Sequence, residues 1–90
     1  MFVALMAFDK ENALDVRTAN REAHVAYLKA SECVVQAGPF LNEAGDMCGS
    51  LIVLDVPDFA AAQAWAAEDP YRKADLFQQV ILKPWNRVIG

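Results

Sequence analysis

The sequence predicts an α+β fold with the element order β-α-β-β-α-β, and three observations carry that expectation. Residues 13–32 contain no Pro or Gly and are rich in Ala, Leu, Glu, Lys and Arg, which favours one long helix. Short apolar runs at residues 2–8, 33–37 and 47–56 each end in polar turn residues, Gly or Pro, as strands do. An Ala-rich segment lies between Asp58 and Asp69-Pro70 and supplies a second helix. Ninety residues leave room for a single domain, residues 1–90, and for no second core.

The elements follow in order. Residues 2–8 (FVALMAF) form a buried strand that gives way to the polar loop Asp9-Lys10-Glu11-Asn12. Asn12 is expected to cap the first helix, with Asp15 favouring its positive end. Val16, Ala19, Ala23, Ala26, Tyr27 and Ala30 recur at helical spacing and are read as the buried stripe of that helix. Residues 33–37 (CVVQA) return to strand character and are expected to stop at Gly38-Pro39, because Pro donates no ladder hydrogen bond. Residues 42–46 make a turn around Gly45, and residues 47–56 form the longest strand, ended by Pro57. Asp58 caps the helix over residues 59–67, and Asp69-Pro70 ends it, since the residue before Pro avoids helical geometry. Residues 71–76 are expected to form a short helical or irregular turn. A last strand covers about 77–82, followed by a less regular tail with Pro84 and Trp85.

This order is that of the ferredoxin-like fold, with two helices on one face of a four-stranded antiparallel sheet. Both parities of the strands are apolar. Val3, Leu5 and Ala7 alternate with Phe2, Ala4, Met6 and Phe8, and Ile52 and Leu54 alternate with Leu51 and Val53. The helices cover one face, so the other needs a cover of its own. A second copy supplies it most simply, giving a homodimer with two sheets face to face, a dimeric α+β barrel. An interface of ~1,600 Å² at ~25 cal/mol per Å² has a gross driving force large enough to favour pairing, even after association costs.

Net charge is −4 with a pI of about 4.7, and the 8 Lys and Arg residues form no run. Arg72-Lys73 is the densest basic pair, and Glu68, Asp69 and Asp75 flank it. Binding to nucleic acid or to anionic membranes is therefore not expected. The run at residues 2–8 is too short to span a bilayer and has no basic segment before it. Cys33 and Cys48 lack metal-ligand spacing and are read as free thiols in a reducing, cytoplasmic setting. One His with scattered acids suggests no metal site, and there is no Gly-rich phosphate loop, so no cofactor is expected. Arg17 and Arg21 can still hold a small anion locally.

His24 is the side chain with an unperturbed pKa near neutrality. Arg17, Arg21, His24 and Leu28 fall at i, i+4, i+7 and i+11 and share a helix face, distinct from the alanine stripe. A histidine at the margin of an apolar stripe is commonly structural, and an Asp before Pro is commonly a turn former. The functional alternative is that Asp69 orients His24 as a general base, although the 45 positions between them permit this contact without predicting it. Ser50 is a mid-strand hydroxyl able to donate into a pocket, and Gly38-Pro39 permits close backbone approach. Tyr27, Tyr71, Trp65 and Trp85 are read as core or interface aromatics.

The runs Arg21-Glu22-Ala23-His24-Val25-Ala26-Tyr27-Leu28, Ala37-Gly38-Pro39 and Gly49-Ser50 together resemble the markers of the YCII-related family. So do residues 61–71 (AAQAWAAEDPY) and the closing Lys83-Pro84-Trp85, and the resemblance spans essentially the whole chain in order. It implies a dimeric α+β barrel with a cleft containing a histidine, here His24, and an aspartate, here Asp69, with Arg21 as the preceding arginine. It also implies kinship with muconolactone isomerases, small monooxygenases and a dehydrochlorinase of aromatic degradation. Relatives often carry acids and a Gly where this chain has Ala30-Ser31-Glu32-Cys33, which makes Glu32 a rival to Asp69.

The leading expectation is an enzyme that transfers a proton, by elimination or isomerisation, on a small anionic organic substrate. His24 is the base and Asp69 its orienting acid, while Arg21, Ser50, Gly38, Pro39 and Tyr71 bind substrate. A non-catalytic module that binds a metabolite or docks on a partner is the alternative. A cofactor-free monooxygenase rests on fold analogy alone.

Overall fold

Alternation along the strands sets the architecture. In the computed structural model, which describes residues 1–90, the elements are β1 (Phe2–Asp9), α1 (Leu14–Ala30), β2 (Val34–Leu41), β3 (Met47–Asp55), α2 (Phe59–Ala67), α3 (Pro70–Lys73) and β4 (Phe77–Trp85). The strands form one antiparallel sheet in the order β2-β3-β1-β4, the ferredoxin-like α+β fold. Leu5 of β1 faces Ile52 of β3 on one side and Leu82 of β4 on the other. With Val3, Ala7 and Leu54 they form the helix-covered side of the sheet, and Trp65, Tyr71, Leu76 and Phe77 close the core above it. The opposite parity, Phe2, Ala4, Met6 and Phe8, is left half-buried or exposed. No helix is long and apolar enough to cross a membrane.

Several local expectations hold. Asp58 accepts a hydrogen bond from the Ala61 amide at 2.8 Å and caps α2. The turn at Asn42 is closed by its own side chain, which accepts from the amides of Ala44 and Asp46. Gly45 takes the left-handed conformation there, with φ +86°.

Others are corrected. Asn12 does not cap α1: its φ of +57° places it in a left-handed turn, and Ala13 stands at the cap position without a side-chain bond. β2 continues through Gly38-Pro39 to Leu41, and β4 continues through Pro84 to Trp85. Both are edge strands, which need ladder hydrogen bonds on one side alone, so a proline costs them little. Gly38 sits inside β2 rather than at a bend, and a Cβ there would meet nothing within 4 Å. The close backbone approach occurs at Gly49, where a Cβ would strike the Ala7 carbonyl oxygen.

The largest correction concerns α1. Its alanine stripe points outward: Val16 is 39% exposed, and Ala19, Ala23, Ala26 and Ala30 are exposed as well. The face packed on the sheet carries Ala13, Arg17 and His24, with Tyr27 and Leu28 half-buried. Tyr27 anchors this face to α2. Its hydroxyl donates to the Trp65 carbonyl at 2.7 Å, the Trp65 indole donates to Ser31 Oγ at 2.9 Å, and Ser31 donates to the Tyr27 carbonyl at 2.7 Å. That closed set of bonds fixes α1 against the helix whose end leads directly to Asp69.

Candidate functional site

Two polar clusters fill the space between α1 and the sheet. The first joins the end of β1, the first turn of α1 and the middle of β3. Arg17 Nε donates to Asp9 Oδ2 at 2.6 Å, and Arg17 Nη2 donates to Asp9 Oδ1 at 2.9 Å and to Ser50 Oγ at 3.0 Å. The side chains of Arg17 and Asp9 are 2% and 5% exposed. Burial alone would lower the Arg17 pKa, but the hydrogen bond and charge of Asp9 outweigh it, and the pKa is raised. The sequence places Asp9 in a plain polar loop. Nothing local in the sequence marks it, because its partner stands on another element.

The second cluster joins α1 to the start of α3. Asp69 is 1% exposed and is the N-cap of α3, not a carboxylate stranded at the unfavourable end of α2. Its Oδ1 accepts from the Tyr71 amide at 2.9 Å and lies 2.8 Å from His24 Nδ1. An ionised carboxylate only accepts, so the Nδ1 hydrogen points at Asp69, and Nε2 is the nitrogen left without a protein partner. Asp69 Oδ2 is buried and unpartnered, so all compensation for that carboxylate passes through Oδ1. Tyr71 stacks on the imidazole with ring centres 3.9 Å apart and planes 15° apart, and the Arg17 guanidinium lies over the Tyr71 ring at 4.5 Å. The phenol thus links the two clusters. Burial raises the Tyr71 pKa, against the opposing pull of Arg17 and Arg21.

A cleft of about 260 Å³ opens over these groups. Arg17, His24, Ser50 and Tyr71 line one end, while Val25, Leu28 and Ile52 give it apolar walls. Arg21 is exposed and borders the same cleft, as do Gly38 and Pro39 from β2. The sequence candidates His24, Asp69, Arg21, Ser50, Gly38, Pro39 and Tyr71 therefore lie in or directly behind one feature. Glu32 does not join them. It is exposed in the turn after α1, and the acid at His24 is Asp69. Arg17 differs from the expectation of a free anion-holding side chain, because Asp9 and Ser50 already engage it. Lys29 also lines the cleft, and nothing in the sequence marks it.

The ferredoxin-like sheet, with the His24–Asp69 pair buried under a small cleft, makes this a compact α+β protein with a candidate active site. The chain belongs to the YCII-related family: the YCII-related domain matches residues 1–86. It is 37% identical to an uncharacterised protein of Haemophilus influenzae, over 98% of this chain and 99% of that protein. It is 33% identical to protein YciI of Escherichia coli O6:H1, over 98% and 99%. Among solved structures it resembles the 5-chloro-2-hydroxyhydroquinone dehydrochlorinase TftG of Burkholderia phenoliruptrix, in complex with 2,5-dihydroxybenzoquinone. The TM-score is 0.88 at 28% identity, covering 96% of this chain and 94% of that one. It shares the fold of SnoaB, a cofactor-independent oxygenase of Streptomyces nogalater, with a TM-score of 0.63 at 10% identity over 98% and 95% of the two chains.

Proposed function

We propose that this protein is an acid–base enzyme that moves a proton on a small anionic organic molecule, by elimination or isomerisation. The observation that carries this reading is the buried His24–Asp69 pair, 2.8 Å apart, with its imidazole on the wall of a cleft. Asp69 holds the Nδ1 hydrogen, so Nε2 is the base, and the imidazolium formed on proton transfer faces a carboxylate. Tyr71 fixes the plane of the ring by stacking. Arg21, exposed on the border of the cleft, draws in the anionic group of the substrate, and Ser50, Gly38, Pro39 and Tyr71 complete the pocket. Likeness to a dehydrochlorinase held with a small quinone supports elimination as the first reaction to try.

The chain acts as a homodimer in this reading. Phe2, Met6 and Leu51 share the sheet face that no helix covers, and a second sheet laid on it removes them from water. Light scattering is expected to report a dimer, and Met6→Glu a monomer. Activity is tested by chloride release from 5-chloro-2-hydroxyhydroquinone and related small halogenated acids. His24→Gln is expected to lower turnover by about 10²–10⁴-fold with the fold intact. Undiminished turnover in that variant, or tight binding with no product from any such compound, ends the catalytic reading.

A further inference from the structure

At one end of the cleft two hydroxyl hydrogens lack a protein acceptor. Ser50 Oγ accepts from Arg17 Nη2 at 3.0 Å, and a guanidinium has nothing to accept with. The one hydrogen of Ser50 must therefore point elsewhere, and no other protein group bonds to it. The Tyr71 hydroxyl has the Arg17 guanidinium as its hydrogen-bonding neighbour, and that group too can only donate, so the phenol hydrogen finds no protein acceptor, while its backbone amide is engaged by Asp69 and its ring lies against both His24 and Arg17. Both side chains line the cleft, and no carboxylate lines it. Arg17 brings positive charge to this end, which its two-point pairing with Asp9 offsets in part, and Arg21 adds to it from the border. What remains is a set of fixed donors in a positively charged setting, with Arg21 and Lys29 also on the cleft. Such a set stabilises an oxygen on which negative charge develops or resides.

We propose that the Ser50 and Tyr71 hydroxyls form the acceptor site for a substrate carbonyl oxygen beside His24, with Arg17 as the positioning residue that turns the Ser50 hydrogen toward it. The substrate class is then a carbonyl compound with an acidic hydrogen on the neighbouring carbon, its separate anionic group lying toward Arg21. This rests on the acid–base reading above. His24 Nε2 takes the proton, and the C–H pair becomes a carbon–carbon double bond. The carbonyl π pair moves onto oxygen, where the two hydroxyls hold the enolate. When that pair returns to re-form the carbonyl, two courses are open. Either, where a further carbon–carbon double bond adjoins the α carbon, the α,β double bond forms in its place and the pair of that further bond takes the proton from the imidazolium at its far carbon, which is isomerisation. Or the double bond shifts outward and a leaving group departs from the β carbon with its bonding pair, which is elimination. Because burial raises its pKa, Tyr71 keeps its hydrogen near neutral pH and remains a donor throughout.

4-Nitrophenol tests the site, since its ionised form is planar, carries its charge on an oxygen like that of an enolate, and absorbs differently from the neutral form. 4-Nitroanisole has the same ring without the ionisable oxygen. The wild-type protein is expected to bind 4-nitrophenol with the absorbance of the ionised form and in preference to 4-nitroanisole. Ser50→Ala and Tyr71→Phe should each weaken 4-nitrophenol binding about tenfold, as loss of a hydrogen bond to a charged oxygen does, with 4-nitroanisole binding unchanged. Arg17→Lys should cost no further affinity once Ser50 is Ala, which a merely structural role for Arg17 would not produce. His24→Gln should keep 4-nitrophenol binding, so loss of the base and loss of the oxygen site are read separately. Folded Ser50→Ala and Tyr71→Phe proteins that bind 4-nitrophenol like wild type overturn the proposal. So does equal preference for the two probes, or no binding of 4-nitrophenol up to its solubility.

Discussion

Helix α1 has two faces whose residues are exchanged relative to the usual rule. Outward lie Val16, Ala19, Ala23 and Ala26, while Arg17 and His24 lie inward at 2% and 6% exposure. Alanine loses little by facing water and favours the helix anywhere. Charged and polar groups go inside only when each finds a partner, and here they do: Arg17 finds Asp9 and Ser50, and His24 finds Asp69. Burial in this helix follows partnership across elements rather than hydropathy along the chain.

The sharpest way to break that comparison is to remove one partner. Arg17→Met leaves the Asp9 carboxylate buried without compensation and is expected to cost about 3–5 kcal/mol in urea unfolding. Pairing it with Asp9→Leu should recover most of that loss. A stable single variant would show that the inward charge is not held by its partner. Next comes Asp69→Ala, which removes both the bond to His24 and the cap of α3 and is expected to cost about 2 kcal/mol. Asp69→Asn should cost less, because its oxygen still accepts from the Tyr71 amide.

Tyr27→Phe tests the tie between α1 and α2 and should cost about 1 kcal/mol at neutral pH. Burial, with the Asp69 charge adding to it, pushes the Tyr27 pKa from 10.0 up to about 12. The folded state thus holds this proton more tightly than the unfolded chain. The contribution is complete below pH 10.0 and declines as pH rises through about 12. Alkaline unfolding curves are expected to fall less steeply over that interval for Tyr27→Phe than for wild type. Smallest of all, Val16→Ser and Ala23→Ser on the outward face should change stability by no more than about 0.5 kcal/mol.

Features governed by neighbouring residues were legible in the sequence. The strand at β1, the Asp58 cap, the span of α2 and the break at Asp69-Pro70 all follow from short-range chemistry. The prolines misled, because whether Pro39 or Pro84 ends a strand depends on its place at the sheet edge, which sequence order alone does not state. Asn12 misled because a good capping residue is also a good left-handed turn residue. His24 and Asp69 stood out as candidates by residue type, but their contact required the Tyr27–Trp65–Ser31 set to dock α1 on α2. Asp9 was invisible for the same reason, and with it the inward orientation of Arg17.

The outermost strands, β2 and β4, each contain a proline, Pro39 and Pro84. A stranger's backbone arriving at either rim to continue the ribbon would meet a missing N–H there, so lateral growth is interrupted on both flanks. The broad greasy side of the sheet is the surface left open to contact between molecules. A single stacking event there would consume the sticky surface, whereas edge addition would regenerate it with every chain, and it is edge addition that the two prolines oppose.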